Sequence, residues 1–163
     1  MEAPRPAWLT GEEKQTWQAL AGVLITLPSA LDAQLQRDAG MTHFEYVVIA
    51  GLSDAPERTM RMSELAVLAN GSLSRLSQVV NRLERRGWVC RTPDPADGRY
   101  TLAILTEAGW AKVVETAPGH VEAVRRLVFD PLTKAQARQL GDIGRRILRT
   151  TDPDGALSSG PAT

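Results

Sequence analysis

Six arginines fall between Arg75 and Arg99, and the last of them follows directly on an Asp-Gly pair. Ser72, Ser74, Gln78 and Asn81 stand among them. These side chains can recognise regularly spaced negative charge and the edges of nucleic-acid bases. A guanidinium can bond guanine O6 and N7 with two parallel donors, and an asparagine or glutamine amide can do the same to adenine N6 and N7. Serine hydroxyls suit phosphates or bases. An arginine carried at a hairpin tip, as Arg99 would be, suits a narrow minor groove, where negative potential is concentrated. Asp97 can orient that guanidinium through a fork-like pair. The competing reading of such a run is a solvated helix face that touches nothing.

Spacing decides which side chains share a face. From Ser72 to Arg86 the apolar positions are Leu73, Leu76, Val79, Val80 and Leu83, one stripe of a helix. The opposite face carries Ser74, Arg75, Gln78, Asn81, Arg82 and Arg85. Charge along the chain agrees with an anionic partner. The chain is formally neutral with a pI near 6.7. Yet residues 1–57 carry a net −5, residues 58–99 a net +4 and residues 100–163 a net +1. A near-neutral pI therefore hides a basic middle.

The elements that position this face are marked by their ends. Thr10, Thr42 and Thr133 are each followed three residues later by Glu13, Glu45 and Gln136, the reciprocal capping pattern of a helix start. The first predicted helix runs along Trp17, Leu20, Leu24, Leu27, Leu31 and Leu35 to a stop at Gly40, with a kink expected at Pro28. The second runs from about His43 to Leu52. A short third, capped by Ser63, spans Glu64 to about Ala69. Asn70-Gly71 is read as a turn between helices, and Ser72 caps the fourth. Gly87 ends that helix. Strands are predicted at Trp88–Thr92 and Tyr100–Leu105, around a proline-rich loop. Thr106 caps the next helix, which Pro118-Gly119 is expected to bend or break. The last helix starts at Thr133, with Leu140, Ile143 and Ile147 on its apolar face.

The order is short helix, turn, helix, strand, hairpin, strand. It predicts a helix-turn-helix with a β-hairpin wing, whose second helix can enter a major groove while the wing reaches the neighbouring minor groove. The stretches MSELAVLAN (62–70), LSRLSQVVNRLERRGWVCR (73–91) and DPADGRYTLAILTEAGW (94–110) resemble the MarR (multiple antibiotic resistance regulator) family of bacterial transcription regulators. The most specific part is Asp97-Gly-Arg99 followed by Leu105-Thr106-x-x-Gly109. The resemblance covers roughly residues 10–150. It implies a mainly α fold with long N- and C-terminal dimerisation helices and a small wing. It implies a homodimer on a palindromic operator of double-stranded DNA, and often a small-molecule effector bound between the dimer helices and the reading head.

The divisions that follow are 8–39 for an N-terminal dimerisation helix, 41–107 for the DNA-binding unit, 108–150 for C-terminal dimerisation helices and 151–163 for a disordered tail. Carried over by position, DNA contact falls to Ser72, Ser74, Arg75, Gln78, Asn81, Arg82, Asp97 and Arg99. Trp17, His43, Phe44 and Trp110 are candidates to line an effector site, although Trp17, Phe44 and Trp110 can equally be plain core and His43 a helix first-turn residue. The effector would be a small aromatic or acidic compound, and no other cofactor is expected.

Other chemistries are weakly supported. Cys90 is the only cysteine, so no intrachain disulfide forms, and its place in a predicted strand suggests a buried, inert thiol. His43 and His120 are the only histidines, and no H-x-x-x-H spacing joins them to Cys90 or Glu45 at a metal. No G-x-S-x-G, phosphate-binding loop or dinucleotide fingerprint points to an enzyme. Neither a membrane-length apolar run nor a signal-peptide pattern is found, so a cytoplasmic protein is expected. Two alternatives stay open: a winged-helix protein-interaction module that never touches DNA, and a constitutive DNA-binding regulator without a ligand.

Overall fold

The computed structural model describes residues 8–152 and residue 155. The tail predicted from residue 151 onward lies outside the described residues, apart from Thr151, which closes the last helix, Asp152 and Gly155. Six α-helices and a small antiparallel sheet follow in the order α1 (Gly11–Ala39), α2 (His43–Asp54), β1 (Thr59–Arg61), α3 (Met62–Leu68), α4 (Leu73–Arg85), β2 (Val89–Pro93), β3 (Thr101–Leu105), α5 (Glu107–Val124) and α6 (Lys134–Thr151).

All three capping boxes form: Thr10 with Glu13, Thr42 with Glu45 and Thr133 with Gln136 each exchange side-chain and backbone hydrogen bonds. Gly40 closes α1 in the left-handed conformation that a glycine adopts without strain. Ser63 does not cap α3. That helix begins one residue earlier, at Met62, without a side-chain cap, because Arg61 is the last residue of a strand that runs straight into it.

Neither proline interrupts its helix. α1 continues through Pro28, and α5 continues through Pro118 and Gly119 to Val124 before a π-helical turn at Arg125–Phe129. Both prolines lie on exposed positions, and at Pro118 the opposite face of α5 stays packed. At this level α5 buries Thr116 and Ala123, and Gly119 faces the Gln34 amide of α1. Tertiary packing thus holds a helix that local propensity would break.

The sheet has three strands in the order β1-β3-β2, all antiparallel, where the sequence suggested two. β3 pairs Val89 with Leu105 on one side and Arg61 with Leu102 on the other. One core joins α2, α3, α4 and the sheet, including the fully buried Ile49, Leu52, Leu65, Leu76 and Leu83. Leu35 of α1 and Val113 of α5 enter that same core, so the long helices are anchored at one end in the head.

Gly109 explains one part of the motif. Thr106 caps α5 through its hydroxyl and Gly109 N–H, and that hydroxyl also donates to Gly87 O. The first turn of α5 is thereby pressed against the backbone entering β2. A Cβ built on Gly109 would stand 2.1 Å from Trp88 O, a backbone atom that cannot swing away. Gly109→Ala should therefore cost about 2 kcal/mol through overpacking, or roughly 4–8 °C of melting temperature for a chain of this size. Thermal denaturation checks this, and an unchanged melt would contradict the contact.

Candidate nucleic-acid interface

The interface is assembled from α3, the turn at Asn70-Gly71, α4 and the wing. Ser72 Oγ accepts from Arg75 N at 3.1 Å, which starts α4 at Leu73. The stripe Leu76, Val79, Val80 and Leu83 is buried, which fixes the rotation of the helix. Ser74, Arg75 and Gln78 consequently face outward. Among the described residues neither the Arg75 guanidinium nor the Gln78 amide has a hydrogen-bonding or ion-pair partner. Arg75 rests instead on the Phe44 ring, 4.2 Å from its centroid.

The rest of the predicted face is engaged within the protein. Arg82 Nε donates to Glu45 Oε1 at 3.0 Å, and Glu45 Oε2 accepts from Thr42 N at 2.8 Å. Glu45 is almost fully buried, and Arg86 lies 4.0 Å from it. One carboxylate thus closes the cap of α2 and ties α4 to it. Asn81 Oδ1 accepts from Arg91 Nη2, which also meets Glu84 Oε2 at 2.6 Å. Asn81 and Arg82 therefore brace α4 against β2 and α2, while Ser74, Arg75 and Gln78 remain open.

The wing has a root and a tip. At the root Asp94, buried, accepts from Ala96 N at 2.8 Å and from Arg61 Nε at 2.8 Å. Those bonds, with Ala96 N–H contributing most, hold its carboxyl below the usual carboxylate range. Arg61 also stacks on Tyr100 at 4.4 Å. At the tip Tyr100 N–H donates to Asp97 O at 3.0 Å, closing the turn. Asp97 Oδ1 accepts from Arg99 Nε at 2.9 Å and Oδ2 from Arg99 Nη2 at 2.6 Å. The guanidinium holds the Asp97 carboxyl below its usual range, so the pair keeps its charges. The Arg99 side chain is 84% exposed all the same.

Beside the outward face of α4 lies an open cleft of about 860 Å³ between α1, α2 and α4. His43 and Phe44 line it, together with Asp32, Arg75, Gln78 and Arg82. Its size is within the usual range of ligand sites. Trp17 and Trp110 are not brought to it. Trp17 lies exposed on the unburied half of α1, and Trp110 carries the Arg58 guanidinium at 4.4 Å. His43 and His120 approach to 6.0 Å between ring centroids, and burial pushes both imidazoles below their usual range. Among the described residues no group of three potential metal ligands occurs. Cys90 is exposed on β2, contrary to the buried thiol expected, because Val89 and Arg91 flank it on a strand whose inward residue is Val89.

The roles of Arg61, of Asp94 and of Glu45 as an anchor for Arg82 are not visible in the sequence. Their partners are distant in the chain, 33 residues for Arg61–Asp94 and 37 for Arg82–Glu45, and no local spacing announces such pairs. The capping box marked Glu45 as a helix-start residue, which is half of what it does.

Comparison with known proteins agrees with this geometry. The MarR family profile matches residues 39–99. The crystal structure of Sco3205, a MarR family transcriptional regulator from Streptomyces coelicolor in complex with DNA, is 46% identical, with 93% of this chain and 94% of that one covered and a TM-score of 0.86. AbsC, a MarR family regulator from the same organism, is 33% identical, with 90% and 98% covered and a TM-score of 0.83. The HTH-type transcriptional regulator YdcH of Bacillus subtilis is 27% identical over 133 residues, 80% of this chain and 82% of its own. With a winged helix-turn-helix of this order, and relatives that span nearly its whole length, the chain belongs to the MarR family of transcriptional regulators.

Proposed function

We propose that the protein binds a palindromic operator in double-stranded DNA as a homodimer and represses transcription by occupying the promoter. The observation that carries this reading is the open group Ser74, Arg75 and Gln78 on α4, with Arg99 exposed at the wing tip on the same molecule. An interaction module without DNA binding has no use for unpaired base-reading groups there. Residues 41–107 then serve as the reading unit, and residues 8–39 and 108–150 as dimerisation helices. The DNA complex of the Sco3205 relative supports the same assignment.

We further propose that a small aromatic or acidic effector enters the cleft between α1, α2 and α4 and weakens operator binding. The cleft supports this because Arg75, held by no carboxylate among the described residues, offers positive charge beside the Phe44 ring, and because α4 itself forms one wall. An effector acts by favouring the arrangement of reading heads that does not fit DNA. Moving that balance from 1:99 to 99:1 takes about 5.5 kcal/mol of differential affinity.

The test is selection of bound fragments from the source genome, across a range of salt and with a panel of aromatic carboxylates. A recurrent palindrome whose affinity falls steeply with salt is the expected result. Protein that recovers no sequence above background is not an operator-binding regulator. A recovered operator that no compound in the panel affects favours constitutive repression.

A further inference from the structure

We propose that Phe44 is a positioning residue that sets the conformation of Arg75 for base reading. The proposal rests on the reading above, in which α4 contacts DNA bases. Phe44 belongs to α2, is half-buried against the head core, and presents one ring face to the reading helix. The Arg75 guanidinium lies over that ring at 4.2 Å, within the range of a cation–π contact. No carboxylate among the described residues holds Arg75, unlike Arg82, Arg91 and Arg99. The ring is therefore what restrains its long side chain. Restraint before binding removes rotamer freedom that the DNA complex would otherwise have to remove.

A second, independent observation fixes the ring itself. A Cβ on Gly71 would lie 2.7 Å from Phe44 Cζ and 2.8 Å from Cε2. The turn between α3 and α4 thus passes directly against the ring edge, and a methyl group at this position would push the ring aside. Asn70 beside it takes a positive φ of 48°, so the turn is bent to make this approach. Turn, ring and guanidinium form one stack, whose far side borders the cleft. An occupant of the cleft that shifts the ring would shift Arg75 with it.

The experiment compares base preferences of wild type, Arg75→Ala, Phe44→Leu, Phe44→Met and Gly71→Ala in selections from a random duplex pool. Leucine and methionine keep apolar volume but remove the aromatic face. Arg75→Ala should relax preference at a particular base pair of each half-site. Both Phe44 variants should relax preference at that same base pair. They should also weaken the wild-type-selected duplex about five- to 150-fold, the cost of ordering one freed arginine on each of the two half-sites. Their binding to random duplex should be little changed, since the charge remains. Should a Phe44 variant melt below wild type, Gly71→Ala carries the test, since it displaces the ring while leaving it in place chemically. Loss confined to that base pair supports the proposal. Folded Phe44 variants that keep wild-type preference there overturn it, as does a Gly71→Ala protein with unaltered preference. If Arg75→Ala relaxes no position, Arg75 does not read a base, and the assignment of that residue falls together with this one.

Discussion

Ile143→Glu is expected to convert the protein into a monomer at micromolar concentration and to abolish tight operator binding. α6 is an 18-residue helix that buries none of its side chains against its own chain. Upstream of Leu31, α1 likewise buries nothing. In proteins most of a helix's stability comes from packing of its apolar face. That face exists, with Leu140, Ile143 and Ile147 all exposed within one chain, and Leu20, Val23 and Leu24 exposed on α1. A second copy covers these stripes in the dimer we propose. A glutamate placed there would be buried without a partner, at about 3 kcal/mol for each of the two symmetric copies. The pair would weaken association roughly ten-thousandfold. Leu24→Glu should act alike. Arg145→Glu, on the opposite face of α6, should leave the dimer intact. Sedimentation equilibrium alongside operator titration decides it: a stable Ile143→Glu dimer, or a well-folded wild-type monomer, would remove the dimer from the proposed mechanism.

Helix starts were legible in the sequence because capping is local. Thr42 and Glu45 are three residues apart, and their reciprocal bonds need nothing from the rest of the chain. The same holds for the turn at Asn70-Gly71 and for the amphipathic stripe of α4. β1 was not legible. Thr59–Arg61 is three residues long, shows no alternation of burial, and exists because β3 lies beside it. Pro118-Gly119 misled for the opposite reason: the local signal was strong, but packing of α5 on α1 outweighs it. The candidate reading face was legible as a set of residue types. How it divides was not. That Arg82 turns to Glu45 while Arg75 stays open depends on a buried carboxylate on another helix. Sequence spacing shows which side chains share a face, and only the fold shows which of them are already committed.

At the wing, sequence and geometry agree most closely, and Arg99→Ala should flatten the dependence of log K on log salt. Arg99 stands at the tip, largely exposed, with its guanidinium oriented by both oxygens of Asp97. In a minor groove each such charge releases counterions, about 0.9 in slope per phosphate-equivalent contact, so a dimer that loses two loses up to about 1.8. Between 1 M and 0.1 M salt that slope amounts to roughly sixtyfold in affinity. Asp97→Ala should behave differently. The positive charge stays, so the slope should hold nearly constant. Affinity should still fall, because the guanidinium is no longer held in a fork and must be ordered on the DNA. Arg99 N–H also bonds Asp97 Oδ1 at 3.2 Å, so Asp97→Ala removes a turn contact as well. Melting curves separate that effect. If both variants lose thermal stability and, at matched folded fraction, bind with wild-type slopes, the pair merely closes a turn. If Arg99→Ala alone flattens the slope while both fold normally, the wing places a charge on DNA and Asp97 aims it.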